Sequence, residues 1–215
     1  MNLHFINNFL IKNFSSFDYG ILKFWHNFAI NTNNMFTNIF RYITFLTEKG
    51  IIFIILAVIL MMFKRTRKLG ICMFGAVALG AIITNFILKD SVQRLRPFEY
   101  SKTFKEWWIF VGKPFEDDFS FPSGHTTAAA AARMSLFIYG KFGKKILSVL
   151  VISLVGISRN YLMSNFPTDV ISGIIVVLFA ALIACLIVKI IYAILNKYDN
   201  KLFNFILNFN LLKGN

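Results

Sequence analysis

Thr168-Asp-Val-Ile-Ser-Gly-Ile-Ile-Val-Val-Leu-Phe-Ala-Ala-Leu-Ile-Ala-Cys-Leu-Ile-Val-Lys-Ile-Ile191 is the stretch that decides the fold. Between Asp169 and Lys189 it holds no charged residue. An α-helix needs about 20 predominantly apolar residues to cross the hydrocarbon of a bilayer. Residues 69–88, 122–140 and 145–163 read the same way, and 50–63 reaches that length if it starts near Phe45. The rest of the composition agrees. Of 215 residues 57% are hydrophobic and 15% charged, with 26 Phe and 4 Pro. Soluble domains carry about 25% charged residues, so this chain has too little polar surface to coat a globule. Disordered, collagen-like and disulfide-stapled chains are excluded on the same figures. Cys72 and Cys185 both lie inside apolar runs and read as small core residues. The expected architecture is an all-α, polytopic membrane helix bundle. It has five transmembrane helices and, at the N-terminus, a sixth or a set of interfacial helices.

Three segments follow from that pattern. Residues 1–45 mix Phe, Ile and Leu with many Asn and form the N-terminal part: 3–14 reads as an interfacial amphipathic helix, and 19–47 as a poor span or a surface pair. No charged-then-apolar-then-small pattern of a cleavable signal peptide is found there. Residues 46–195 are the transmembrane core, and 196–215 a cytoplasmic tail. The net charge of +13 is carried by residues between apolar runs, which points to membrane headgroups and away from nucleic acid. Basic loops mark the cytoplasmic side. Phe63-Lys-Arg-Thr-Arg-Lys-Leu69, Gly140-Lys-Phe-Gly-Lys-Lys145 and the tail lysines Lys197, Lys201 and Lys213 are assigned to it. The 98–121 loop carries Glu99, Glu106, Glu116, Asp117 and Asp118 against three Lys and is placed outside, as a lid with Trp107 and Trp108 as interface anchors.

Polar groups from distant parts of the chain then meet at the outer face. They lie in Lys89-Asp-Ser-Val-Gln-Arg94-Leu-Arg96-Pro97, in Phe121-Pro-Ser123-Gly124-His125-Thr-Thr127, and in Ser158-Arg159-Asn-Tyr-Leu-Met-Ser-Asn165-Phe-Pro167-Thr168-Asp169. Three cations, Lys89, Arg96 and Arg159, repel one another unless an anion sits between them. Arg offers a planar fork suited to phosphate oxygens. Pro-Ser-Gly-His before an apolar helix reads as a helix start, whose free N–H groups also favour an anion. His125 titrates in the range suited to proton transfer to a leaving oxygen. Taken singly, each feature has a plainer reading: Lys and Arg snorkel at span ends, and Pro-Ser-Gly is ordinary turn chemistry. Jointly they indicate a phosphate or diphosphate site.

These segments resemble the signature of the type-2 phosphatidic acid phosphatase superfamily, which also includes vanadium haloperoxidases and bacterial lipid-phosphate phosphatases. The signature runs Lys, six residues, Arg-Pro; Pro-Ser-Gly-His; then Ser-Arg, five residues, His, three residues, Asp. The first two parts match in full, and the third at Ser158, Arg159 and Asp169. The resemblance implies a metal-independent, cofactor-free phosphatase acting on a membrane lipid phosphate. Candidate substrates are undecaprenyl diphosphate, phosphatidylglycerol phosphate, phosphatidic acid and the phosphate of lipid A. By that resemblance Lys89, Arg96 and Arg159 hold the phosphate oxygens, with Ser123 and the backbone at Gly124 and His125. His125 protonates the leaving oxygen, the His of the third part attacks phosphorus to form a phosphohistidine, and Asp169 orients that His. The enzyme would sit in the cytoplasmic membrane with its site facing outward.

The chain departs from the pattern at one position: Asn165 stands where the nucleophilic His belongs. An amide nitrogen has a delocalised lone pair and does not replace imidazole. Two origins are open, an introduced His-to-Asn exchange and a natural non-catalytic member. The expected function is therefore a lipid-phosphate phosphatase silenced in its covalent step. The alternative is a lipid-phosphate binding or transport protein of the same fold.

Overall fold

The computed structural model describes residues 3–139 and 142–197, and among these the chain is helical with no strand. Of the groups used for orientation, Lys141, Lys201 and Lys213 lie outside the described residues, as does most of the 196–215 tail. The helices are α1 (His4–Asn31), α2 (Thr37–Leu46), α3 (Ile51–Met61), α4 (Arg67–Ala81), α5 (Lys89–Val92), α6 (Pro97–Tyr100), α7 (Lys102–Phe110), α8 (Gly124–Tyr139), α9 (Phe142–Tyr161) and α10 (Pro167–Lys197). A π-helical segment, Ile82–Leu88, joins α4 to α5, so one rod delivers Lys89 to its end.

Among the described residues three stretches are long and apolar enough to cross a membrane: Thr37–Met61, Arg67–Tyr100 and Pro167–Lys197. These correspond to the expected spans at 50–63, 69–88 and 168–191. Helix α8 has 16 residues, and α9 carries Lys145 near one end and Arg159 near the other, so neither is of that length and composition. Both pack into the same bundle, α8 against α4, α9 and α10. The side chains are distributed as in a bilayer protein. Phe86, Phe179, Leu182 and Leu186 face outward, while the centre is lined with small residues: Ala57, Ala76, Ala129 to Ala132, Ala181 and Ala184. Lipid tails are as apolar as Leu, so helices in a membrane associate by close backbone approach, which small side chains permit. The Ala128–Ala132 run serves helix propensity and this packing together. Cys72 and Cys185 are buried together beside Val188 in a satellite cluster.

At the N-terminus the structure has one continuous helix, α1, in place of a short helix over 3–14 followed by a separate segment. It packs against α5, α9 and α10. Its buried positions, Leu10, Asp18, Leu22 and Ala29, fall on one stripe, which Asn7 shares, while Asn8, Asn13, Asn27 and Asn31 lie on the other faces. Asp18 on that stripe, together with the Asn and Lys residues, lowers the mean hydropathy of the segment.

Two glycines set the distances between helices. A Cβ on Gly70 would lie 2.6 Å from the Ala57 carbonyl and 2.7 Å from the Met61 nitrogen, so α3 and α4 touch backbone to backbone. A Cβ on Gly173 would lie 2.9 Å from the Ser123 carbonyl and 3.0 Å from Thr127 Oγ1. Gly173 thus seats the start of α8 on α10. Gly173→Ala is expected to cost about 1–3 kcal/mol, the usual penalty of overpacking. It should lower the thermal midpoint in detergent, measured by scanning calorimetry.

Candidate active site

The three sequence segments converge. Lys89, Arg96, Gly124, His125, Arg159 and Asn165 line a single cavity of about 600 Å³. Lys89 comes from the end of the α4–α5 rod, Arg96 from the residue preceding α6, and Gly124 and His125 from the first turn of α8. Arg159 comes from the last turn of α9. Lys89, Arg96 and Arg159 are 7%, 3% and 1% exposed, so these cations are held inside the protein and do not snorkel to its surface. A Cβ on Gly124 would lie 3.9 Å from Lys89 Nζ, so the ammonium sits beside the start of α8. Helix N–H groups and cations therefore face the same volume, an arrangement that favours an anion.

Ser123 and Asp169 lie just behind the cavity wall, and both are fully buried. Ser123 Oγ donates to Asn165 Oδ1 at 3.2 Å, and the Ser123 backbone N–H donates to the Asp169 carbonyl at 3.1 Å. Arg159 Nε donates to the same Asn165 Oδ1 at 2.9 Å. Asn165 Nδ2 donates to the Ser120 carbonyl at 2.7 Å. The amide at 165 is thus a junction holding Arg159, Ser123 and Ser120 in register. The Asp169 carboxylate accepts from Ser120 Oγ, from the Phe166 N–H at 2.9 Å and from Arg94 Nη1 at 2.5 Å. Ser120 lies between Asp169 and Asn165, since Nδ2 also reaches Ser120 Oγ at 3.4 Å.

Two residues absent from the sequence-derived set complete this network. Arg94 Nη2 donates to Asp18 Oδ2 at 2.7 Å, and Arg94 Nη1 reaches Thr168 Oγ1 at 2.7 Å. Asp18 accepts from the Thr168 N–H at 3.0 Å and from its hydroxyl at 2.8 Å, capping the start of α10. The guanidinium of Arg94 also lies over the Phe166 ring, 4.1 Å from its centroid. Arg94 stands in the quoted Lys89–Pro97 segment, so its alignment with Arg96 was visible. Asp18, 150 residues from Thr168, gave only the signal of a lone acid in an apolar helix.

The acidic segment 111–123, part of the loop expected as a lid, contributes ion pairs that the sequence reading did not foresee. Glu116 bridges Arg159 and Arg96, the latter at 3.0 Å, and Asp118 bridges Lys89 and Arg96. Arg96 Nε also donates to the Asp118 carbonyl at 2.8 Å, while Arg96 Nη1 donates to the Ser164 carbonyl at 2.6 Å. The loop is held at both ends, by Val111 and Ser120, which are buried. Trp108 Nε1 donates to the Pro114 carbonyl at 3.1 Å and stacks on Phe98. Trp107 is packed inward, stacked on His26 and set among Leu22, Phe104, Met163 and Phe166. Burial pushes the Asp118 carboxyl up, but Lys89 and Arg96 outweigh it and hold the group below its ordinary value.

Helical spans around a buried cationic cup define a membrane-embedded phosphohydrolase scaffold. The chain belongs to the PAP2 superfamily, whose model matches residues 69–195. It is 28% identical over 148 residues to an undecaprenyl-diphosphatase of Sulfolobus acidocaldarius, covering 68% of this chain and 69% of the relative. It is also similar to the crystal structure of the first transmembrane PAP2 type phosphatidylglycerolphosphate phosphatase from Bacillus subtilis. That similarity has a TM-score of 0.57 at 25% identity and covers 87% of this chain and 88% of that one.

Two outcomes follow. Asp18→Ala leaves Arg94 and the start of α10 short of a partner, and breaking a buried pair in this way costs about 3–5 kcal/mol. Asp18→Asn keeps an acceptor and should cost less, a ranking checked by thermal unfolding in detergent. Because its pKa is lowered on folding, Asp118 contributes stability above the ordinary Asp value that is lost as pH falls through the lowered one. Among Lys89, Arg96, Glu116 and Arg159, the loop should stay docked at neutral pH and release only below about pH 4. Trp108 emission reports the release, and Asp118→Asn should remove Asp118's share of that transition.

Proposed function

We propose that this chain binds the phosphate or diphosphate headgroup of a membrane lipid in the Lys89–Arg96–Arg159 cup, with the lipid tails left in the bilayer. The observation that supports this most is the convergence of three buried cations on the first turn of α8. An anion with several oxygens matches that donor set, and Arg forks suit phosphoryl oxygens. The basic loops favour an orientation in the cytoplasmic membrane with the cup facing outward. The two named relatives act on a prenyl diphosphate and on a phosphatidylglycerol phosphate, so these two classes lead the substrate candidates. Phosphatidic acid and lipid A phosphate come after them.

In the catalytic reading, which the resemblance supplies, His125 delivers a proton to the departing lipid oxygen. Residue 165 would attack phosphorus, aligned by Asp169. With Asn at 165 the covalent phosphohistidine step is not available, while the groups that grip the headgroup are all present. We therefore read the chain as a member of a phosphatase family that binds its headgroup and is silent in turnover. Such a chain serves as a lipid-phosphate binding protein as it stands.

Asn165→His tests this. The variant should release phosphate from phosphatidylglycerol phosphate or a prenyl diphosphate in detergent without added metal. The gain over the parent chain should be on the order of 10³-fold or more, since losing one member of a catalytic unit removes most of its effect. Phosphate release followed by malachite green gives the answer. A variant that binds several lipid phosphates yet releases none would refute the phosphatase reading and leave the binding one.

A further inference from the structure

The acidic loop does more than cover the cup. Glu116 and Asp118 place their carboxylates on the same three cations that would hold a phosphoryl group. We propose that these two carboxylates are specificity-determining residues, which admit headgroups carrying about two or more negative charges and exclude singly charged phosphodiesters. The inference rests on the reading that the cup binds lipid phosphates.

The argument is one of competition. The cup holds three cations and two loop carboxylates, a net charge of +1. A ligand arriving with the loop in place faces Glu116 and Asp118 in a poorly solvated cavity, where like charges repel strongly. It must displace them. Both ends of the loop are anchored, at Val111 and Ser120, so the carboxylates act at the high effective concentration of tethered groups. A phosphodiester offers one charge shared over two free oxygens and cannot replace two carboxylates. A phosphomonoester offers nearly two charges near neutral pH and three acceptor oxygens, and a terminal diphosphate offers at least as many. Either one matches the charge that the loop withdraws.

The loop is also an incomplete substitute. Arg159 Nη1 is buried and has no hydrogen-bond partner, although Nη2 is paired with Glu116 and Nε with Asn165. A third phosphoryl oxygen supplies what that donor lacks. This gives a monoester a contact that neither carboxylate makes. The discrimination matters because a site open to the bilayer faces phosphodiester lipids in great excess over any lipid monoester.

The experiment compares two ligands with identical tails. The full chain in a non-ionic maltoside detergent is titrated with short-chain phosphatidic acid, a monoester, and with short-chain phosphatidylmethanol, a singly charged diester. Calorimetry gives both affinities. The native chain should prefer the monoester by about tenfold or more, equivalent to 1.4 kcal/mol. Glu116→Gln with Asp118→Asn should gain affinity for the diester and reduce that preference by about tenfold. Each single substitution should move it part of the way, and the singles serve if the double variant does not fold. Glu106→Gln removes the same charge from the 98–121 segment at an exposed position outside the cavity lining, and should leave the ratio unchanged. A preference that survives Glu116→Gln and Asp118→Asn while the monoester still binds overturns the proposal alone. If native and variant chains both fail to bind the monoester, the headgroup reading falls with it.

Discussion

Three cations buried at one end of a helix bundle are the constraint on which the rest of the structure depends. Removing an ion from water costs several kcal/mol even after the protein relaxes. Lys89, Arg96 and Arg159 are at most 7% exposed and sit close enough to repel one another. The bundle therefore has to bring counter-charge to them, and it does so from a loop outside the apolar spans. It also has to hold them apart at fixed positions. Arg96 is fastened through Ser164, and Arg159 through Asn165. A fourth buried cation, Arg94, is enclosed separately between Asp18 and Asp169, behind the cavity wall. The two systems divide the labour: one cluster of charge is available to a ligand, and the other is closed and holds α1, α5 and α10 together.

Much of this was legible in the chain because apolar runs and the polar residues that interrupt them are easy to separate. Lys89, Arg96, His125 and Arg159 stood at the ends of apolar runs, and alternation of those runs placed all of them on one side. The cup follows from that count. The runs themselves were less transferable. Gly124–Tyr139 and Phe142–Tyr161 read as spans of ordinary length, yet the first is short and the second has cations near both ends. What makes them part of the bundle is packing, of α8's small residues against α4 and α10 and of α9 against α8 and α2, which a hydropathy window does not see. Residues 4–31 failed for the opposite reason. Their helix is held by one stripe and by Asp18, while its Asn and Lys residues lower the average.

The counter-charges were hidden by a different limit. Glu116 and Asp118 were read as markers of the outer side, which uses only their sign. Their role depends on where a 13-residue loop folds, and no periodicity governs a loop. Asp18 and Thr168 are equally unconnected in sequence, and only the docking of α1 across α10 brings the carboxylate to the helix start.

Asn165 shows how the same position serves two structural demands. A residue there must fill a buried site beside Arg159 and leave no donor or acceptor without a partner, because an unpaired buried polar group costs about 1–3 kcal/mol. Asn meets this by accepting from Arg159 and Ser123 on one side and donating to Ser120 on the other. Imidazole has two nitrogens and, when neutral, one donor and one acceptor. A His would have to give one nitrogen to the Ser120–Asp169 side and turn the other toward the cup, releasing Arg159 Nε from the contact it has with the amide. Asn at 165 thus braces the Arg159 guanidinium at the wall of the cup.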